Sequence, residues 1–447
     1  MRERVHEGTA LMKVAVTTLG CKVNQYESAA LCEALEAKGC RIVPFGEAAD
    51  CCIISTCTVT SRADFQSRQL IRRAHRSNPG AAVIVTGCYA QTSPEGIAGL
   101  PGVAAVVGNE EKSTIPALLP SIGHGGCRIL VSDIRQAGGF SPFFAKHFAG
   151  HTRAFLKIQD GCDAFCSYCI VPYARGPARS LPEAEVKRQI VALGRNGYRE
   201  IVLTGIHLGA YGQDLNPQTD LLCLLKWVEI ERPVERLRLS SLEPTEVTDE
   251  LIALMAGAKV LCPHLHIPLQ SGDDSILRLM DRHYDRAFFR DRMAKIRAAL
   301  PDAAIGIDVL TGFPGEGEDE FGNTLRFIDE IPATYLHVFP YSNRPGTPAS
   351  GLTGQVRHEE KKRRAALLRQ LGKQKHRAFI GRFVGRHLSV LVEGDGEGGS
   401  GGRRGFTENY LPVSITDGNG RCDNRIVRVL ADSSDGRRLL GRIVHHD

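Results

Sequence analysis

Three cysteines spaced Cys162-x3-Cys166-x2-Cys169, inside Gln159-Asp160-Gly161-Cys162-Asp163-Ala164-Phe165-Cys166-Ser167-Tyr168-Cys169, constrain this chain more than any other feature. They supply three thiolates where a [4Fe–4S] cluster normally takes four, so one iron is left for a ligand that is not protein. The alternative is a zinc knuckle or a disulfide pair. Zinc wants paired C-x2-C units with two further ligands at a distance, and no such set accompanies this loop. A vacant iron beside the aromatic pair Phe165 and Tyr168 is a place for chemistry, and the fold has to enclose it.

Length bounds what can enclose it. At 447 residues the chain exceeds one ordinary core and calls for two to four domains. Hydrophobic residues at 43% and charged residues at 24% describe a soluble globular protein. No apolar run of about 18 residues occurs. Met1-Arg2-Glu3-Arg4-Val5-His6-Glu7 carries acidic residues and no apolar core, unlike a signal peptide. The expectation is a cytoplasmic protein without a membrane partner, whose 14 cysteines are reduced thiols and metal ligands.

After the cysteine loop, strand-like and helix-like segments alternate. Strands are expected at Ala154–Ile158, Glu200–Thr204, Arg236–Ser240, His264–Leu269, Ile305–Leu310 and Thr334–Phe339. Helices are expected at Pro182–Leu193, Leu221–Ile230, Glu246–Ala256, Arg286–Leu300 and Glu318–Ile331. Six strands with intervening helices make a partial α/β barrel, which binds its ligand at the C-terminal strand ends. The candidate cofactor-binding groups there are Tyr168 in the loop, Gly205 after strand two, Ser241 and Glu243 after strand three, and Gln270 after strand four. Arg179, with Arg175 nearby, follows the cluster and is read either as a holder of a carboxylate or phosphate or as solvated charge. The glycine clusters at these ends have the plainer reading of tight loops.

The chain before residue 125 has its own pattern. Val14–Leu19, Cys51–Ser55 and Ala82–Thr86 read as parallel strands, with helices Glu27–Lys38 and Arg62–Ser77 between them. Each strand leads into a cysteine, namely Cys21, Cys57 and Cys88, spaced 36 and 31 residues apart, about one βαβ repeat. A parallel sheet brings its C-terminal strand ends to one edge, so three distant thiols converge. They suit a second cluster with an open iron; ordinary buried cysteines are the alternative. Cys32, Cys40, Cys51, Cys52, Cys127, Cys223, Cys262 and Cys422 are read as packing residues.

The last segment carries the basic excess. From Arg357 to Asp447 there are 19 Lys and Arg against 11 Asp and Glu, a net of +8, while the whole chain is +6, leaving about −2 for the remainder. Such asymmetry favours a polyanion partner. A basic helix around Glu359–Arg369, alternatively a solvated linker, leads into apolar runs at Leu388–Val392, Leu411–Ile415 and Ile426–Leu430, with a glycine-rich loop over Gly394–Gly405 that is expected to be mobile.

The Cys162, Cys166 and Cys169 spacing resembles the radical S-adenosylmethionine (SAM) superfamily. Leu19-Gly20-Cys21-Lys22-Val23-Asn24-Gln25, Thr56-Cys57-Thr58 and Gly87-Cys88-Tyr89-Ala90-Gln91 resemble the N-terminal domain of the tRNA methylthiotransferases, with Ser55 departing from the family's usual Asn. Lys22-Val23-Asn24-Gln25 is similar to the branch acting on N6-threonylcarbamoyladenosine, and Gly405-Phe406-Thr407-Glu408-Asn409-Tyr410 resembles the RNA-binding TRAM barrel. The resemblance implies a parallel α/β sheet domain at 12–125, a radical SAM partial barrel at 148–378 and a small TRAM β-barrel at 379–446. It implies two [4Fe–4S] clusters, on Cys21, Cys57, Cys88 and on Cys162, Cys166, Cys169. The second triad is catalytic and cleaves one SAM to a radical that takes hydrogen from adenine C2. The first delivers sulfur, and a second SAM gives the methyl group. The partners implied are a tRNA anticodon loop, an external electron donor and a sulfur donor of unknown identity. Open alternatives are the isopentenyladenosine branch, an aspartate in a ribosomal protein, and a non-catalytic Fe–S protein that binds RNA or senses redox state.

Overall fold

The computed structural model describes residues 11–122, 126–140, 143–148, 150–395, 402–416 and 422–444. Met1 to Glu7, read above for a leader, lie outside the described residues. The chain forms two units: the part before Phe148 together with Ile170–Pro177, and Phe148–Cys169 together with Ala178 onward. No described helix is long and apolar enough to cross a membrane.

The first unit is a parallel sheet of six strands, in the order Arg41–Val43, Lys13–Thr18, Cys51–Thr56, Ala82–Gly87, Val103–Val107 and Arg128–Leu130. Its strands are near-continuous apolar runs because both faces are covered. Val14, Leu31, Leu35, Ile53, Ile84 and Val107 pack on one face, and Ala15, Ile54, Ile71, Val83, Val85 and Val106 on the other. The helix expected at Glu27–Lys38 starts earlier, at Lys22, directly after an extended Cys21. The helix Ser61–Ser77 is capped by Thr60, whose side chain accepts from the Ala63 amide.

In the second unit the six expected barrel strands are present as two parallel three-stranded sheets. One holds Ala154–Lys157, Glu200–Thr204 and Arg236–Leu239, the other His264–His266, Ala304–Thr311 and Tyr335–Pro340. The fourth strand ends at His266, not Leu269. Pairing with the neighbouring strand nevertheless goes on past Pro268, where Leu269 N donates to Asp308 O at 3.1 Å and Gln270 bridges Val309. The two sheets join through the pair Leu237 and Leu261, flanked by Leu237 N donating to Val260 O and Cys262 N to Leu237 O, both 2.8 Å. The helix expected from Glu246 begins at Asp249, with Thr248 as its cap. Glu246 instead caps the short turn Pro244–Glu246, accepting from the Glu243 amide at 2.9 Å.

The helix His358–Gly381 leads into a closed barrel in the order His387–Asp395, Arg403–Thr407, Pro412–Ile415, Leu439–Ile443 and Ile426–Ser434. Val390, Val392, Leu411, Val413, Ile415, Val429, Ala431 and Leu439 fill it. Two of these strands were not expected. Arg403–Thr407 occupies the end of the segment read as a glycine-rich loop; of that loop, residues 396–401 lie outside the described residues. The helix is not simply a solvated linker, because Arg364 is buried and bonds Glu316 at 2.7 Å and Glu318 at 2.8 Å.

The barrel is tied to the first sheet of this unit through one buried carboxylate. Glu200, fully buried, accepts from Arg238 Nε at 2.7 Å and Nη2 at 3.1 Å, with Arg236 at 3.8 Å and Arg153 at 3.9 Å. Arg238 and Arg236 also donate to the barrel carbonyls of Glu408 at 2.9 Å and Ser389 at 2.8 Å. Removing one partner of such a network strands the others. Glu200→Gln is expected to destabilise this unit by about 3–5 kcal/mol, read as a lowered unfolding midpoint.

Candidate active site

The cysteine loop leaves the first strand of the second unit through Gln159 and Asp160, which pair with Ser180 and Arg179. The Gln159 amide Nε2 donates to the carbonyls of Asp160 and Gly161, both 2.9 Å, and its Oε1 accepts from the His207 amide at 2.7 Å. Gln159 occupies the place a side chain at Gly205 would need: a Cβ there would lie 2.9 Å from Gln159 Cβ. Further along, the Ser167 amide donates to Met280 O at 3.0 Å, and Cys169 N to Cys166 O at 2.9 Å. The loop is held by the Gln159 side chain ahead of Cys162 and by backbone bonds between Cys166 and Cys169.

Two basic side chains address these thiols. Arg282 Nη1 lies 3.2 Å from Cys166 Sγ, Arg282 Nε donates to Tyr284 Oη at 3.2 Å, and Nη2 bonds the Glu243 carboxylate. His207 Nδ1 stands 3.7 Å from Cys162 Sγ, and its Nε2 lies 2.6 Å from Glu246 Oε1. Burial alone would lower the His207 pKa; the Cys162 thiol and the Glu246 carboxylate outweigh it and hold the imidazole up to about 10. Three thiols in a cationic surround fit an anionic iron–sulfur centre.

The other expected ligand groups are dispersed around the loop. Tyr168 packs against Ile276, Met280, Phe313 and Tyr341, and burial pushes its phenol well above the ordinary range. Glu243 is joined to Cys166 by the Arg282 fork. Ser241 is exposed two residues before it. Gln270 has a left-handed backbone, φ +63°, and its amide donates to Asp308 O at 2.8 Å. Arg179 is buried, 4.0 Å from Asp160 Oδ2. Arg175 departs from the reading as solvated charge. It is not solvated: it is fully buried in the first unit, and the carboxylate it holds is that of Glu27, at 2.6 Å.

In the first unit the strands ending before Cys21, Cys57 and Cys88 are immediate neighbours. A Cβ on Gly20 would lie 3.1 Å from Cys57 Cβ, so the Cys21 and Cys57 turns touch. Gly87 has φ +95° and ψ −169°, and a Cβ there would meet Thr56 O at 2.5 Å. Glycine is required for this approach of the Cys88 turn to the strand bearing Cys57. Burial, with the Cys88 and Cys21 thiols beside it, pushes Cys57 up to about 12. A thiol so protonated becomes a thiolate when a metal supplies the compensating positive charge.

Arg282 and His207 carry no sequence signal as cysteine neighbours, since each lies far along the chain from its thiol in a non-periodic loop. A second polar group lies on the strands of the other sheet of this unit. His264 and His266 alternate on one strand face, and the fold adds Asp308, which bonds His266 Nε2 at 2.8 Å and lies 3.3 Å from His337 Nδ1. Burial would raise the Asp308 carboxyl; these imidazoles outweigh it and hold it well below the usual range.

Residues 13–108 match the uncharacterised protein family UPF0004, and residues 156–328 match the radical SAM superfamily. The chain is 40% identical over 419 residues to the threonylcarbamoyladenosine tRNA methylthiotransferase MtaB of Bacillus subtilis, covering 93% of each protein. It is 38% identical to the MtaB of Thermotoga maritima, over 85% of this chain and 86% of that protein. The tRNA-2-methylthio-N(6)-dimethylallyladenosine synthase of Syntrophobacter fumaroxidans is 34% identical over 90% of each. Among solved structures, the radical SAM methyltransferase TsrM of Kitasatospora setae, with cobalamin and a [4Fe–4S] cluster bound, shares the fold at TM-score 0.56 and 15% identity, over 76% of this chain and 77% of that one.

Gly87→Ala is expected to cost about 1–3 kcal/mol from backbone strain alone, lowering the unfolding midpoint of the first unit. Gly80→Ala, where a Cβ meets nothing within 4 Å, should leave it in place.

Proposed function

The chain belongs to the radical SAM tRNA methylthiotransferases, in the MtaB branch, and on that premise we propose that it methylthiolates C2 of N6-threonylcarbamoyladenosine beside the anticodon of tRNA. The observation that carries this reading is the pairing of two cysteine triads in one chain: a loop triad beside Arg282 and His207, and a triad assembled at three adjoining strand ends.

Cys162, Cys166 and Cys169 hold a [4Fe–4S] cluster, and Cys21, Cys57 and Cys88 hold a second. When loaded with SAM, these centres supply the radical that removes hydrogen from adenine C2 and the sulfur that replaces it. Tyr168, Gly205, Ser241, Glu243, Gln270 and Arg179 surround the SAM site. Gln159 shapes the loop entrance, and Arg282 fixes the Glu243 carboxylate. The target base leaves its stack to reach the strand ends, at little cost in an anticodon loop, where bases are already unpaired. Reducing equivalents and sulfur come from separate donors, and the reaction belongs in the cytoplasm with its tRNA.

The domain division 12–125, 148–378 and 379–446 assigns one task to each part: sulfur delivery, radical generation and RNA capture. Exposed Arg404, Arg425, Arg428, Arg437 and Arg442 on and beside the C-terminal barrel strands support the last. Arg364 is committed to Glu316 and Glu318, so RNA contact falls to the barrel more than to the buried face of the helix.

Cys166→Ala should abolish 5′-deoxyadenosine formation in an anaerobic assay. Cys57→Ala should retain it while losing the methylthiolated nucleoside; equal loss of both in Cys57→Ala would refute separate roles for the triads. Arg404→Ala with Arg425→Ala should weaken tRNA binding and flatten its log–log salt dependence by about 1 for each phosphate no longer neutralised, measured by binding titrations at several salt concentrations.

A further inference from the structure

The first unit contains a buried charge network that neither SAM chemistry nor RNA binding uses. Arg175 has no exposed surface, and Asn24, Lys112 and Glu27 are at most 5% exposed. Arg175 Nη1 and Nη2 donate to Glu27 Oε1 and Oε2 at 2.6 and 3.2 Å. Lys112 Nζ bonds the same carboxylate and donates to Asn109 Oδ1 at 3.2 Å. Both basic side chains thus address the Glu27 carboxylate in the interior, where a buried charge needs partners. The third face of the guanidinium is turned to sulfur: Arg175 Nε points at Cys88 Sγ, 3.3 Å away.

The same guanidinium reaches the other two cysteine turns through one side chain. Nη2 donates to Asn24 Oδ1. The Asn24 amide Nδ2 donates in turn to Leu19 O at 2.8 Å and Thr56 O at 3.0 Å, the carbonyls just before the Cys21 and Cys57 turns. The short helix Val171–Arg175 that carries Arg175 is itself held by Asn109, whose Nδ2 donates to Ala174 O at 2.7 Å. A planar fork with fixed donors suits this geometry and an ammonium does not.

We infer that Arg175 is a positioning residue of the Cys21, Cys57 and Cys88 iron–sulfur centre, donating a hydrogen bond to the Cys88 sulfur and raising the reduction potential of that centre. The inference rests on the reading that this triad holds a cluster. A hydrogen bond and a positive charge at a ligating sulfur withdraw electron density from the iron and favour the reduced state. Glu27 and Asn24 hold the fork in place.

The test uses the full-length chain with Cys162, Cys166 and Cys169 changed to Ala, loaded with iron and sulfide so that only the strand-end centre remains. Redox titration followed by electron paramagnetic resonance is expected to show a lower midpoint potential in Arg175→Gln, and a smaller shift in Arg175→Lys, which keeps the charge and loses the fork. Unchanged potentials and spectra in both, at full iron content, would overturn the inference. If these variants load iron poorly, the parent protein labelled with 15N-arginine decides: the reduced centre should show a 15N hyperfine coupling, and its absence is equally fatal. Cys88→Ala in the same background separates the two readings. Iron retained there defeats the assignment of a cluster to this triad, whereas iron lost there alongside an unmoved potential in Arg175→Gln defeats the role of Arg175 alone.

Discussion

A parallel β-ladder places the last residue of every strand on the same edge of a sheet, and the triad of Cys21, Cys57 and Cys88 depends on that register. In the first unit Val14 pairs with Cys51 and Cys51 with Ala82, so three strands of equal length end within one residue of one another. Each then turns into a cysteine. Residues 36 and 31 positions apart become neighbours through backbone hydrogen bonding alone. In the second unit the same geometry sets Gly205, Ser241 and Gln270 at the ends of strands that share the direction of the one feeding the cysteine loop.

Buried basic side chains recur at these edges, each turned toward sulfur. Arg282 stands beside Cys166 and Arg175 beside Cys88, and each fork also holds a glutamate, Glu243 or Glu27. An arginine taken from water into the interior needs anionic partners, and a carboxylate stands beside each of these. The Glu200 network has the same form with a different purpose. Its arginines divide their donors between the carboxylate and barrel carbonyls, which makes it an anchor without a ligand.

Much of this was legible from residue pattern. Apolar runs separated by helical periods located the strands of both α/β units to within a few residues, since buried parallel strands are nearly uniform in composition. The apolar run of the fourth barrel strand continues to Leu269 while the regular strand ends at His266, although the Leu269 and Gln270 amides still donate to Asp308 O. The strands Arg403–Thr407 and Leu439–Ile443 were missed because barrel closure, not local pattern, makes them strands. Both triads were visible in spacing. Their guanidinium partners were not: Arg175 looks like surface charge beside Gly176 and Pro177, and only the fold shows it fully buried against Glu27.

The most direct measurement is mass spectrometry of nucleosides from the tRNA of cells with and without this protein. The account predicts that 2-methylthio-N6-threonylcarbamoyladenosine disappears when the protein is absent while N6-threonylcarbamoyladenosine accumulates. An unchanged nucleoside profile, or loss of the methylthiolated isopentenyladenosine instead, would contradict it.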